Sequence, residues 1–297
     1  MLDFHSITIE DRDWITEALK YSDFQGCEYS FANNLAWCRA GNSKIARFQN
    51  FYIICAFGNN NSPPLFTFPS GNGDYKALLN EMESTANSLN HTLYIRGITD
   101  KTMKILDEIA PDKFHYKEET DDFDYIYNTS NLATFSGKKY HKKRNHLAQF
   151  RRNYNAVFSE MTESDFDDCI ELSVSLYHDK DGYNDHSQVM EQYAINTFFN
   201  NFYELGLHGG VIRIDGKLIA FSIGEKLNSN TFVTHIEKAK TTYHGAYTAI
   251  VQEFASNIAK DYQYINREED LGIEGLRKSK QSYYPAYMLK KYTAFSK

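Results

Sequence analysis

The sequence predicts an α/β fold made of two units in tandem, and three observations support this prediction. The chain has 297 residues, which is enough for two ordinary domains. Strand-like and helix-like segments follow in the same order in both halves: two strands joined by a turn, later a helix, then a strand. A basic segment bridges the halves, so we expect a first unit over residues 1–135 and a second over residues 136–297.

In the first half, apolar residues at helical spacing alternate with short apolar runs that are typical of strands. Residues 5–48 are expected to be mainly helical and irregular. The runs at residues 51–57 and 65–68 predict a hairpin. The predicted helices are 11–21, 29–37, 74–89 and 99–109, and the further strands are 91–96 and 124–127, with 124–127 extending the same sheet.

The second half repeats this order after its basic bridge. Asp215 and Gly216 mark a tight turn between two strands, and a helix begins at Gly245. The predicted helices are 136–152, 162–177, 186–203 and 245–258, and the predicted strands are 211–214, 218–225, 232–237 and 262–266.

The charge distribution sets the bridge apart from the rest of the chain. The net charge is −7, which argues against a general nucleic-acid coat, yet residues 138–152 contain seven Lys or Arg and no acid. One interpretation is a site for a phosphate-rich partner, namely tRNA, coenzyme A or a lipid headgroup, contacted by Lys142, Lys143 and Arg144. The other is a solvated helix that packs on the acidic segment 118–124.

Other patterns exclude several classes of protein. No apolar run approaches the ~18 residues of a membrane span. The N-terminal residues have neither the basic nor the apolar region of a signal peptide. Four widely spaced cysteines form no CxxC pair, which argues against a metal or dithiol site. We therefore expect a cytoplasmic protein with reduced thiols and no metal.

Residues 231–247 (TFVTHIEKAKTTYHGAY) are the first candidate for chemistry. A strand leads through a polar loop to the helix at Gly245, and a helix start offers free N–H groups to a phosphate, with Lys238 and Lys240 nearby. Strand alternation predicts that His235 and Glu237 share a face, where they would remove a proton from an amine. A structural role for this His-x-Glu pattern is the alternative.

Residues 266–286 are the second candidate. Charged residues follow the carboxyl end of a strand, where α/β sheets place sites. Arg277, Lys278 and Lys280 could contact phosphates, and Tyr283 or Tyr284 could protonate a leaving group. The alternative is a solvated helix that leads through a proline turn into an edge strand.

Four segments carry a family resemblance: YELGLHGGVIRIDGKLIAFSIGEKLNSNTFVTHIEKAKTTYHGAYTAI, NREEDLGIEGLRKSKQSYYPAYMLKKY, YSFANNLAW and SGKKYHKKRNHLAQF. They resemble the family named for the C-terminal domain of phosphatidylglycerol lysyltransferase, in its stand-alone soluble members. The resemblance implies two tandem GNAT-like acyltransferase units, with mixed sheets flanked by helices, similar to the Fem aminoacyltransferases.

The same resemblance implies roles for individual residues. In GNAT enzymes a loop of pattern Arg/Gln-x-x-Gly-x-Gly/Ala wraps the pyrophosphate of coenzyme A, and its counterpart here is residues 242–247. Thr242 and Tyr247 depart from the pattern, which leaves an aminoacyl-tRNA donor open. Glu237 matches the position of a general base, and Tyr283 or Tyr284 that of a general acid. The expected cofactor-binding residues are Lys238, Lys240, Tyr243, His244, Gly245, Ala246, Tyr247, Arg277, Lys278 and Lys280.

Three functions follow from these observations. The first is an N-acyltransferase that moves an acyl group from acyl-coenzyme A, a small-molecule donor, to an amine. The second is aminoacyl-tRNA-dependent transfer to a lipid or peptide, with tRNA binding and peripheral lipid contact. The third is a GNAT-like module that binds a ligand without turnover. The sequence assigns no metal to any of them.

Overall fold

A computed structural model describes residues 2–58, 62–178 and 186–297 and contains two seven-stranded mixed β-sheets. The contacts divide the chain into two units. Unit 1 holds the residues up to Asp124, together with Glu269–Gly272 and Leu289–Lys297. Unit 2 holds Tyr125–Glu268 and Ile273–Met288. The predicted boundary between residues 135 and 136 stays a prediction. A division of the chain by its contacts does not test which segments fold on their own.

The part of unit 1 that the structure describes contains four α-helices and a sheet with strands from both the N-terminal and the C-terminal part of the chain. The helices are α1 (Arg12–Ser22), α2 (Phe31–Trp37), α3 (Tyr75–Ser88) and α4 (Asp100–Ile109). The strands are β1 (Ser43–Phe48), β2 (Asn50–Ala56), β3 (Leu65–Thr67), β4 (Ser70–Asn72), β5 (Tyr94–Ile98), β6 (Phe114–Glu118) and the C-terminal β14 (Tyr292–Ser296).

The sheet of unit 1 runs in the order β1-β2-β3-β5-β14-β6, with β4 also paired to β2. β3 and β5 are parallel, and β14 lies antiparallel between β5 and β6. The C-terminal residues of the chain therefore form an interior strand of this sheet.

Local sequence explains the helix starts of unit 1. Asp74 accepts hydrogen bonds from the backbone N–H groups of Lys76 and Ala77, which caps α3. Thr99 caps α4 in the same way through Thr102. α3 buries Leu78, Leu79, Met82 and Ala86 against the sheet, as its spacing predicts.

In its described residues, unit 2 contains six α-helices and the second sheet. The helices are α5 (Thr129–Thr134), α6 (His141–Asn153), α7 (Phe166–His178), α8 (His186–Asn200), α9 (Ala246–Asn257) and α10 (Glu274–Gln281). The strands are β7 (Asp124–Asn128), β8 (Ala156–Glu160), β9 (His208–Ile214), β10 (Lys217–Lys226), β11 (Thr231–Ala239), β12 (Tyr264–Asn266) and β13 (Tyr287–Leu289). Single 3₁₀ turns lie at Ile9–Asp11, Cys27–Tyr29, Thr120–Asp122, Lys138–Tyr140 and Glu163–Asp165.

The second sheet runs in the order β13-β7-β12-β11-β10-β9-β8, and β11 and β12 are its parallel pair. Ala220 of β10 belongs to the cluster that contains α9, whereas its neighbour Phe221 contacts Phe199 of α8. Because successive strand residues point to opposite faces, α9 and α8 cover opposite faces of the sheet. α5 and α6 pack beside α9.

The structure corrects two parts of the predicted topology. β7 was expected to extend the first sheet, but it pairs with β12 in the second. Five strands were not predicted, namely β1, β4, β6, β8 and β14. The ranges of β1, β6 and β8 hold the charged residues Lys44, Arg47, Lys117, Glu118 and Glu160. β6, β8 and β14 pair with segments far away in the sequence, so local apolar alternation does not reveal them. In the part of the chain that the structure describes, no helix is long and apolar enough to span a membrane.

Candidate active site

The two parallel strands of unit 2 pair over a short length and then separate. Residues 231–233 of β11 lie opposite residues 264–266 of β12. β12 ends at Asn266, whereas β11 continues to Ala239. The carboxyl ends of parallel strands are where open α/β sheets place their sites. The gap beyond Asn266 is therefore a candidate site.

A buried ion pair bridges this gap. Arg267, the first residue after β12, is 9% exposed, and its Nη2 donates a hydrogen bond of 2.6 Å to Oε1 of Glu237 on β11. The guanidinium lies 4.7 Å from the ring centroid of Tyr283 and 5.4 Å from that of Tyr127. Burial acts to lower the pKa of Arg267, but Glu237 raises it above its usual value, so the guanidinium stays charged.

The other terminal nitrogen of Arg267 is an unused donor. Nη1 is buried and has no hydrogen-bond partner in the described part of the chain. A buried donor left without a partner costs about 1–3 kcal/mol, so binding a water or a ligand oxygen there is favourable. A carbonyl, carboxylate or phosphate oxygen entering the gap would accept this hydrogen bond.

Helix α6 contributes a second cation. Lys143 Nζ donates to Ser282 Oγ at 2.7 Å and lies 3.3 Å from the ring centroid of Tyr283. Burial lowers the pKa of Lys143 to about 8, Arg267 adds to this effect, and Glu237 opposes it. An amine in this range exchanges protons near neutral pH.

The ring of Tyr283 contacts both cations. Tyr283 is buried, and the Thr248 side chain hydrogen-bonds to its hydroxyl. Burial raises the pKa of Tyr283 to about 12; Arg267 opposes this rise and Glu237 adds to it. The hydroxyl therefore keeps its proton at neutral pH, as a general acid must, and that role stays a prediction.

Lys280 holds the backbone of Arg267 through a hydrogen bond to its carbonyl oxygen. Lys280 is buried, and its Nζ donates to the Arg267 carbonyl oxygen at 2.5 Å. The Tyr127 hydroxyl donates in turn to the Lys280 carbonyl oxygen at 2.7 Å. The ammonium predicted to contact a phosphate is thus engaged in fixing the strand end.

A β-bulge separates His235 from Glu237. On β11, Ile236 lies opposite Ile223 and Thr234 opposite Gly224, so His235 is the extra residue. The His235 ring stacks on Phe198 of α8, on the face opposite Glu237. The expectation that His235 and Glu237 share a face is therefore wrong, because the bulge shifts the alternation by one residue.

Two carboxylates bracket the His235 ring. Nδ1 lies 2.8 Å from Glu268 Oε1, and Nε2 lies 3.2 Å from Glu225 Oε1. Burial acts to lower the pKa of His235, but these two acids raise it to about 9. Both ring nitrogens then donate, and the residue is an imidazolium at neutral pH. Because both ring nitrogens of His235 already carry protons, His235 cannot act as a base at neutral pH.

Lys238 lies on the same face as His235. Its Nζ donates to Glu191 of α8 at 2.7 Å and lies 5.0 Å from the ring centroid of Tyr177. The predicted role of Lys238 beside a phosphate stays a prediction, although its charge is already paired.

Gly245 fits a packing role. It has φ 93°, and a Cβ there would lie 2.7 Å from the His146 carbonyl oxygen and 2.9 Å from Phe150 Cβ, both on α6. Only glycine allows α6 to approach the start of α9 so closely. The side of Gly245 on which a Cβ would stand is therefore filled by α6.

The other predicted cofactor residues surround this helix start or lie on the surface. The Tyr243 ring packs on Tyr154, and the Tyr243 carbonyl accepts from the Ala246 N–H at 3.0 Å. Exposed or partly exposed residues are Lys240, His244, Tyr247, Arg277 and Lys278. Lys278 pairs with Glu274 on the surface.

The three residues of the basic helix that were predicted to contact phosphate lie in different surroundings. Lys142 is exposed. Arg144 Nη1 donates to the carbonyl oxygens of Phe135 and Gly137 at 2.5 and 2.6 Å, which secures the chain before α6. Lys143 lies in the candidate site. Tyr284, the alternative general acid, has φ 52° and packs edge-on to Tyr140.

Unit 1 contains a separate buried cluster. Cys27, Asp124 and Glu269 are the group of described residues whose ligand atoms lie close enough to hold a metal ion. Lys291 Nζ lies 2.8 Å from Asp124 Oδ1 and 2.7 Å from Glu28 Oε2. A lysine ammonium therefore already forms ion pairs with Asp124 and Glu28 at this cluster.

Known proteins resemble this chain in sequence and in structure. Residues 19–295 match the family described as phosphatidylglycerol lysyltransferase, C-terminal. The chain belongs to this family. A conserved protein of unknown function from Bacteroides thetaiotaomicron shares 37% identity over 100% of both chains, with a TM-score of 0.94.

Solved structures of lower sequence identity share the fold of this chain. The L-PGS of Bacillus licheniformis has a TM-score of 0.66 at 13% identity, over 96% of this chain and 91% of that one. FemX has a TM-score of 0.61 at 10% identity, over 98% and 96%. An uncharacterized Mycoplasmoides gallisepticum protein is 25% identical over 171 residues, 57% of this chain and about half of that protein, at 54%. The predicted family and the tandem GNAT-like fold are confirmed, and the family and fold support an acyl- or aminoacyltransferase.

Sequence reasoning did not select Arg267, Thr248 or Tyr127. One signal was available for Arg267, since a charged residue directly after a short apolar strand stands at the sheet edge where sites form. Nothing in the pattern distinguishes Thr248 or Tyr127 from ordinary packing residues.

Proposed function

We propose that this protein is an aminoacyltransferase that moves an aminoacyl group from the ester of an aminoacyl-tRNA to a nucleophile at the gap between β11 and β12. The observation that supports this most is the buried, unpartnered Nη1 of Arg267 at the end of a parallel strand. The family supports the class of reaction.

Acyl transfer needs a donor aimed at the carbonyl oxygen, because that oxygen gains negative charge as the nucleophile attacks. A preorganised donor in a site that excludes water stabilises this charge by about 2.7–4 kcal/mol, or 10²–10³ in kcat. Nη1 of Arg267 would act in this way, while Nη2 remains bound to Glu237. Glu237 is then the residue that orients the guanidinium.

Two features favour a tRNA-linked donor over acyl-coenzyme A. The Cβ side of Gly245, at the helix start that was predicted to cradle pyrophosphate, is filled by α6. The exposed side chains of Lys138, Lys139 and Lys142 offer charge for a polynucleotide backbone. The phosphatidylglycerol lysyltransferase family is the relative that suggests an aminoacyl group.

The donor is tested by direct turnover. The protein is incubated with aminoacyl-tRNAs and, separately, with acyl-coenzyme A thioesters, each labelled in the group to be transferred. Acceptors are phosphatidylglycerol vesicles, primary amines and short peptides. We expect label in an acceptor only with an aminoacyl-tRNA, and charge-neutral variants of Lys138, Lys139 and Lys142 should weaken tRNA binding and flatten its salt dependence.

Each other result has a defined meaning. Label transferred only from a thioester would replace the tRNA donor by acyl-coenzyme A. Binding of a donor without turnover on any acceptor would contradict the enzyme and favour a binding module.

A further inference from the structure

Lys143 differs from its basic neighbours in where its ammonium lies. Lys142 is exposed, whereas Lys143 is partly buried against the turn after α10. Its Nζ is held by Ser282 Oγ at 2.7 Å and by the face of Tyr283 at 3.3 Å from the ring centroid. α6 is thus positioned to bring one amine to the gap that Arg267 borders.

The surroundings of Lys143 favour the neutral amine. In the described residues, no carboxylate forms a salt bridge with Lys143, and Glu237 is bound to Arg267. Burial and the nearby Arg267 charge lower the pKa of Lys143 to about 8, although Glu237 acts to raise it. The charged or titratable groups around this site are Glu237 on β11, Arg267 after β12, Tyr283 after α10, Tyr247 on α9, Tyr127 on β7 and Lys280 on α10.

We propose that Lys143 carries the proton in the transfer reaction, an inference that rests on the proposed function. As the nucleophile attacks the acyl carbon, the neutral Nζ takes the proton from its N–H or O–H. The acyl–oxygen bond of the donor then breaks, and the Lys143 ammonium gives the same proton to the leaving oxygen. One proton and one acyl group move, so no further reactant is needed.

The other titratable groups suit this task less well. His235 is an imidazolium on the opposite face of the sheet. Glu237 already accepts a charge-assisted hydrogen bond from Arg267. Tyr283 keeps its proton until about pH 12 and cannot accept one. An effective proton carrier has a pKa near the working pH, and Lys143 meets this condition.

The first test measures the amine itself and needs no turnover. Protein labelled with ¹³C-lysine is titrated by NMR, and the Lys143 Cε–Hε signal is assigned by its loss in Lys143→Arg. We expect a midpoint near pH 8, and a lower midpoint in Glu237→Gln, because Glu237 holds the proton on Lys143. A midpoint at the ordinary lysine value of about 10.4 overturns the proposal.

The second test uses the transfer assay. The rate in the wild type should rise with pH to a plateau above about 8. Lys143→Arg, which stays protonated, should lose about 10²–10⁴ in rate and should not show this rise with pH. Lys143→Ala should be partly rescued by added small tertiary amines, which can carry a proton but cannot form an amide with the acyl group. Lys260→Arg is the matched control, since it makes the same change at an exposed lysine of the same unit.

The two failures are distinguishable. A Lys143→Arg protein that keeps the wild-type rate and pH profile overturns the role of Lys143 and leaves the proposed function standing. A wild type that transfers nothing from any donor overturns the proposed function, while the NMR midpoint still decides whether Lys143 is the weakly basic amine that the geometry requires.

Discussion

The His235 imidazolium predicts that unit 2 becomes less stable as the pH rises. Its pKa is 6.5 in an ordinary setting and about 9 here, because Glu225 and Glu268 outweigh burial. A raised folded-state pKa stabilises the fold fully below pH 6.5, and this stabilisation is lost as the pH rises through about 9. At 1.4 kcal/mol for each tenfold change in proton affinity, the loss is roughly 3 kcal/mol.

The assay compares urea unfolding at pH 6 and pH 9.5 in the wild type and in His235→Gln. Unfolding is followed by hydrogen exchange of the β11 amides. The two tryptophans, Trp14 and Trp37, lie in unit 1, so their fluorescence does not report on this region. We expect His235→Gln to remove about 3 kcal/mol of the pH dependence, and His244→Gln, an exposed control, to leave it unchanged. Equal pH dependence in His235→Gln and the wild type would refute the reasoning.

Two further predictions concern packing. Gly245→Ala should destabilise unit 2 by about 2–4 kcal/mol, because φ is 93° and the new Cβ would collide with α6. Hydrogen exchange of the α6 and α9 amides measures this loss of stability. Gly275→Ala is the control, because a Cβ at Gly275 has no neighbour within 4 Å. A weaker donor complex with unchanged stability would instead favour a role in binding. Removing residues 292–297 should unfold the sheet of unit 1, because β14 pairs with both β5 and β6. A shift in the fluorescence of the two tryptophans of unit 1 would report this unfolding. A native-like fluorescence spectrum would contradict the role of β14.

Local chemistry made much of the fold predictable. The β2–β3 hairpin and the apolar face of α3 follow from patterns a few residues long. The position of β14 does not, because a five-residue strand carries no information about a partner nearly two hundred residues away. The same limit explains why β7 was assigned to the wrong sheet.

The candidate site was predictable in place but not in detail. The strand end and the helix start at Gly245 mark the correct part of unit 2. The bulge at His235 leaves no trace in the sequence, and it moves that side chain to the other face. Arg267 and Lys143 look like surface charges in the sequence, and only the fold reveals that both lie against the ring of Tyr283.

The central claim is that Arg267 stabilises the transition state of acyl transfer, and the kinetics of Arg267→Lys test it most directly. Lysine keeps the charge but cannot both hold Glu237 and present a second fixed donor. We predict that kcat falls by about 10²–10³ while KM changes little. Lys260→Ala, at an exposed lysine of the same unit, should behave as the wild type. A folded Arg267→Lys protein with kcat within about threefold of the wild type would contradict the account.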